Sequence, residues 1–153
     1  MCPSDALKFL DLGKTPLCDF LTEEESKYEV EYPLNIHYCP NCGLVQLGDL
    51  VNRETIFTPK GGYHHLSALS SSFMKHVEEL AKRTTERFNL NSDTLVIEIG
   101  SNDGALLEFY KNLGVKVLGV DPTDVTKIAI DKGIPMVTEW FDEHTAEKIE
   151  KQF

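Results

Sequence analysis

The chain has 153 residues, 41% of them hydrophobic, and a formal net charge of −10 at pH 7; that length holds one or two small domains with a packed core. The acidity, without a basic run or an Arg–aromatic patch, excludes nucleic acid and anionic membrane as expected partners. No apolar run approaches the ~18 residues of a membrane span, and Met1-Cys2-Pro3-Ser4-Asp5 lacks a basic-then-apolar signal pattern, so the cytoplasm is the expected compartment.

Residues 1–60 are rich in Pro and Gly breaks, with short strand-like pieces at Glu29–Tyr32, Leu34–Tyr38 and Leu44–Leu47. The acidic run Glu23-Glu24-Glu25 reads as a solvated helix start. Cys39-Pro40-Asn41-Cys42 is a C-x-x-C knuckle whose two thiolates can reach one tetrahedral ion. In a reducing compartment, metal ligation is preferred over a disulfide. Too few apolar residues surround the knuckle to support a small ribbon-like module, and a structural metal would supply that support. The alternative is a pair of buried structural cysteines.

Residues 61–92 comprise a loop and a linking helix. Gly61-Gly62-Tyr63-His64-His65 is turn-prone. From Ala68 to Phe88, Leu69, Phe73, Val77, Leu80 and Phe88 fall close to one helical face, with Ser67 or a neighbouring serine as cap. Asn89–Asp93 is a linker by composition.

From residue 93 to 153 the pattern alternates. Strands are expected at Leu95–Ile99, Val115–Val120 and Pro135–Thr138, and helices at Gly104–Leu113, Asp124–Lys132 and His144–Gln152. This β-α-β-α-β-α order is the first half of a doubly wound parallel sheet. Its most informative stretch is Val96-Ile97-Glu98-Ile99-Gly100-Ser101-Asn102-Asp103-Gly104, a buried strand running into a glycine turn and a helix start. Asp121, at the tip of the next strand, stands where an acid accepts ribose hydroxyls. The turn lacks the middle glycine of a dinucleotide fingerprint, and Asp103 would repel phosphates. No Gly-Lys-Ser/Thr follows, which excludes a P-loop. S-adenosylmethionine (SAM), with a ribose, an amino group and a cationic sulfur, tolerates that acid. The alternative is a helix-capping turn with Asp103 as a surface acid.

In their order and spacing these stretches resemble the SAM-dependent sugar C-methyltransferases that carry an N-terminal zinc-binding domain. The matching pieces are Leu10–Leu17, Tyr32-Pro33-Leu34, Cys39–Leu47, Tyr63, Ser67–Phe73, His76, Ile97–Gly104, Leu118–Pro122, Gly133–Pro135 and Trp140-Phe141. The resemblance implies an α/β chain: a small zinc-binding module, then the first half of a class I methyltransferase, Rossmann-like sheet. It implies C-methylation of a nucleotide-linked sugar, with SAM and Zn2+ as cofactors.

It also implies SAM-binding roles for Glu98, Gly100, Ser101, Asn102, Asp103, Gly104 and Asp121, and a catalytic loop bearing Tyr63 and His65, for which the alternative is a surface loop without chemistry. In that family the zinc site is formed by two C-x-x-C pairs. Cys2 stands at the second cysteine of the first pair, whose partner would precede Met1. Cys39 and Cys42 form the second pair; for the last position the alternatives are Cys18, His37, or a site that is three-coordinate or empty. His76 receives no catalytic role, and Trp140 and Phe141 are either core residues or a stacking surface for adenine. Family members continue well past Phe153, so this chain alone is expected to be inactive. It would leave the first strand of the sheet with an open edge prone to self-association. The rival readings are a non-catalytic zinc-stabilised binding module, or a subunit completed by another chain, and a nicotinamide-dependent sugar enzyme.

Overall fold

The computed structural model describes residues 5–17, 21–57 and 66–152. The chain divides into two compact units, Met1–Tyr63 and His64–Phe153.

The first unit is a three-stranded antiparallel sheet in the order β1 (Leu7–Pro16), β2 (Glu31–Tyr38), β3 (Val45–Leu47), followed by the short helix α1 (Arg53–Ile56). The ladder sets Leu7 opposite Tyr38 and Tyr38 opposite Val45, and Leu10 opposite Ile36 and Ile36 opposite Leu47. Directly paired residues share a face, so one side of the sheet is wholly apolar along these rows. The other side carries Lys8, His37 and Gln46 in one row and Asp11 opposite Asn35 in the next.

β1 is longer than the irregular stretch expected from sequence, and β2 is one strand rather than two pieces. Two register shifts in β1, at Phe9 and at Leu12-Gly13, explain the difference. At the second, Gly13 takes φ +77° and donates its N–H to Asp11 Oδ1 at 3.0 Å, a turn inside a strand. The acidic run opens a single 3-10 turn, Glu25–Tyr28, closed by a reciprocal cap in which Glu25 Oε2 accepts from Thr22 N–H at 2.8 Å.

The second unit opens with a 3-10 turn, Ser67–Leu69, and the helix α2 (Ser71–Phe88), capped by Ser70 accepting from Phe73 N–H at 3.3 Å. Then follow β4 (Leu95–Ile99), α3 (Ala105–Asn112), β5 (Lys116–Val120), α4 (Thr126–Asp131), β6 (Met136–Val137) and α5 (Glu143–Gln152). The strands are parallel in the order β4-β5-β6. This α/β arrangement is compatible with half of a Rossmann-like fold. Ala81 of α2, Leu107 and Tyr110 of α3 and Ala129 of α4 pack with Val117 on one face, and Ile149 of α5 packs with Leu118 and Val120 on the other.

Among the described residues β4 pairs with β5 alone, so its outer edge is open. On the α5 face, Ile97 and Ile99 remain 41% and 59% exposed. A mostly apolar groove of about 360 Å³ lies there, lined by Leu95, Ile97, Phe141, Ala146, Ile149 and Glu150. No helix among the described residues is long and apolar enough to cross a membrane.

Candidate cofactor turn and metal knuckle

The glycine turn joins β4 to α3 at the carboxyl ends of the strands, where open α/β sheets bind ligands. Gly100 N–H donates to Val120 O at 2.8 Å, which sews the turn to the tip of β5. Gly100 takes φ +72°, and a Cβ there would meet nothing within 4 Å. The turn thus presents bare backbone to open space. Gly104, at φ +73°, serves packing instead: a Cβ would meet Ile134 Cδ1 at 2.8 Å and Ala129 Cβ at 2.9 Å.

Between these glycines, Ser101, Asn102 and Asp103 are buried. Asp103 is wholly enclosed, with Oδ2 accepting from Ala68 N–H at 2.9 Å and Oδ1 from Ala105 N–H at 3.3 Å. Its charge therefore lies beneath the turn rather than on its open side. Asn102 sits at φ +50° and accepts Ser67 N–H on Oδ1 at 3.2 Å. Ser101 occupies the space above Gly119, where a Cβ would stand 2.5 Å from its hydroxyl. Gly119 was not singled out from the sequence, where it reads as an ordinary strand glycine.

Asp121 is buried at the tip of β5. Its Oδ2 accepts from Asn102 N–H at 3.0 Å, and its Oδ1 accepts from Thr123 N–H at 2.9 Å and Thr123 Oγ1 at 2.5 Å. Thr123 was also missed from the sequence, although Asp-Pro-Thr is a recognisable side-chain turn. A hollow of about 370 Å³ opens beside this tip, lined by Pro122, Thr138, Trp140, Asp142 and His144 among others.

Glu98, the last polar side chain of β4, is half-buried, and its Oε2 is buried without a hydrogen-bond partner. Burial, reinforced by the nearby negative charges of Asp103 and Asp121, pushes its carboxyl up to about 7. Asp103 and Asp121 each accept backbone N–H groups and Glu98 accepts none, so the three acids at this end of the sheet are not equivalent. Tyr63 and His65 lie outside the described residues. His76 is exposed on α2, and Phe141 is 42% exposed in the apolar groove rather than in the core.

In the first unit Cys39 is buried and Cys42 exposed. The knuckle closes through Gly43 N–H to Cys39 O at 2.9 Å and Cys39 N–H to Leu44 O at 2.8 Å. Both thiols thus belong to one tight turn, which fits a zinc ion. Among the described residues of this unit, Cys39 is the one buried apolar side chain, so the sheet has no core of its own there. His37 lies on the polar face with its ring against Gly48. Among the described residues no three His, Cys, Asp or Glu side chains group as a metal site. The expected ligands Cys2 and Cys18 lie outside the described residues.

Residues 1–57 match the Methyltransf_13 family model, whose description is "Putative zinc binding domain". The chain is also similar to the C-methyltransferase NovU of Streptomyces niveus, with 31% identity over 148 residues, covering 95% of this chain and 34% of the relative. The chain therefore spans about a third of the length of that curated relative. The resemblance carried by the motifs is borne out: nearly the whole chain is related in sequence to part of a C-methyltransferase, and its N-terminal third to a zinc-binding domain family.

Proposed function

We propose that the chain forms the N-terminal portion of a SAM-dependent C-methyltransferase acting on a nucleotide-linked sugar. In this reading the second unit is the first half of the SAM-binding sheet. The observation that carries it is the turn itself: open backbone at Gly100, an acid at the tip of β5, and a buried, unpartnered Glu98 oxygen at the same end of the sheet. A cationic, ribose-bearing ligand complements that set, whereas a pyrophosphate would meet the carboxylate of Asp121 and the unpartnered oxygen of Glu98.

The cofactor, when bound, supplies the methyl group. The chain would hold the ribose on Asp121, let the ligand approach the backbone at Gly100, and offer Glu98 to a positively charged group. The hollow beside Trp140 suits an adenine ring. Tyr63 and His65 are proposed as the loop groups nearest the substrate, with a histidine able to move a proton near neutral pH. Cys39 and Cys42, with Cys2 and then Cys18, are proposed to hold one structural zinc ion, which cross-links a unit without a described core.

Calorimetry with SAM, S-adenosylhomocysteine and NAD tests this reading. Binding of the first two and not of NAD is expected; binding of NAD alone would replace it. A second reading, a subunit completed by another polypeptide, is favoured by the edge of β4 that no strand among the described residues pairs. It predicts methyl transfer only when a second chain supplying the rest of the sheet is added.

A further inference from the structure

We propose that Asn102 and Asp103 are positioning residues that fasten the entry of α2 to the glycine turn, so that a ligand held at the turn also orders residues 67–69. This rests on the cofactor reading above. Both side chains are buried and reach back 35 positions in sequence. Asn102 Oδ1 receives Ser67 N–H and, at 3.5 Å, Ser67 Oγ; Asp103 Oδ2 receives Ala68 N–H at 2.9 Å. These two N–H groups open a short 3-10 turn and have no carbonyl of that turn to bond.

The fastening continues outward. Asn102 N–H donates to Asp121 Oδ2, and Asp121 Oδ1 holds Thr123, so hydrogen bonds run without a break from the tip of β5 to Ser67 in the 3-10 turn before α2. Asp121 Oδ1 already accepts two donors, whereas Oδ2 accepts one in these bonds and has a second lone-pair direction. A ribose hydroxyl would use that direction, on the same oxygen that anchors Asn102. Asn102 also stands at φ +50°, a conformation that asparagine tolerates and that its partners on both sides maintain. Immobilising Asp121 and Gly100 with a ligand therefore immobilises Asn102, and through it Ser67 and Ala68. In this role Asp103 needs no contact with the cofactor, consistent with its complete burial.

Amide hydrogen exchange read residue by residue tests the proposal in the full chain, free and with S-adenosylhomocysteine. Asn102→Gly keeps the positive φ but removes the acceptor, and Asp103→Asn keeps the shape but removes the charge. Without ligand, the Ser67 and Ala68 amides should be protected in the parent chain and exchange at least about tenfold faster in the variants, with β5 amides unchanged as the folding control. With ligand at a concentration that calorimetry shows to saturate each chain, their protection should rise in the parent and fail to rise in the variants. A clasp of purely structural importance would lower baseline protection in the variants but leave the ligand-induced rise in place. Ligand binding without that rise in the parent, or a rise that persists in both variants, overturns the coupling. Absence of any binding overturns the cofactor reading instead and the coupling with it, and the ligand-free arm still decides whether the clasp exists.

Discussion

Asp121 Oδ2 and the backbone nitrogen of Asn102 lie 3.0 Å apart, and this bond ties the tip of β5 to the turn after β4. The acid proposed to hold a ribose is thus also the acid that shapes the turn. Asp121→Ala should weaken S-adenosylhomocysteine binding by about 1–3 kcal/mol, as expected when a charged hydrogen-bond partner is lost. Thr123→Val removes one of the bonds that orient the carboxylate and should have a smaller effect in the same direction. Calorimetry on both variants checks the order.

Gly100→Val should abolish binding while leaving the sheet folded. A left-handed φ costs a β-branched residue about 1–2 kcal/mol or more, and the new side chain projects into the open space that the ligand would fill. Circular dichroism reports the fold and calorimetry the loss. Retained affinity in a folded Gly100→Val chain would remove the turn from consideration.

The stability of the second unit should fall as pH rises through neutrality. Burial beside Asp103 and Asp121 lifts Glu98 from its ordinary 4.5 to about 7, so its neutral form is favoured by folding. Its contribution is complete below about pH 4.5 and is lost as pH climbs through about 7. The change is on the order of 1–2 kcal/mol, allowing for solvent screening of a half-buried group. Glu98→Gln should flatten that part of the profile in denaturant unfolding at pH 5 to 8.5, and an unchanged slope would acquit Glu98.

Metal analysis should find one zinc ion per chain. Cys39→Ser should lower that content and make the first unit sensitive to protease, because Cys39 is its one buried apolar side chain among the described residues. Unchanged metal and protease resistance would reject the knuckle as a ligand pair.

The open edge of β4, flanked by exposed Ile97 and Ile99, should make the 153-residue chain self-associate. Sedimentation velocity should show mass rising with concentration, and Ile99→Lys should shift the chain toward monomer. The same chain should show no methyl transfer by itself.

The second unit was legible because its signals are local. Apolar runs marked β4 and β5, glycines marked both ends of the turn, and serines preceded α2. β1 was not legible, because the bulges at Phe9 and Leu12-Gly13 break the alternation by which a half-buried strand is recognised. The inward placement of Asp103 was hidden for another reason. Its partner, Ala68, is 35 residues away, and nothing in Ser-Asn-Asp itself tells which side of the turn will be covered. The unpartnered oxygen of Glu98 likewise arises from burial, which Val-Ile-Glu-Ile by itself does not reveal.

The two-sided sheet of the first unit is, in effect, written in a reading frame of two. Ile36 and Tyr38 join the apolar rows, whereas Asn35 and His37 join the polar ones. A single residue inserted in the middle of β2 would turn half the strand over and set histidine and asparagine among leucines. A two-residue insertion at the same point would restore the alternation beyond it. Changes of odd length should therefore be borne only where the frame is already interrupted, at Phe9 and at the Leu12-Gly13 bulge of β1.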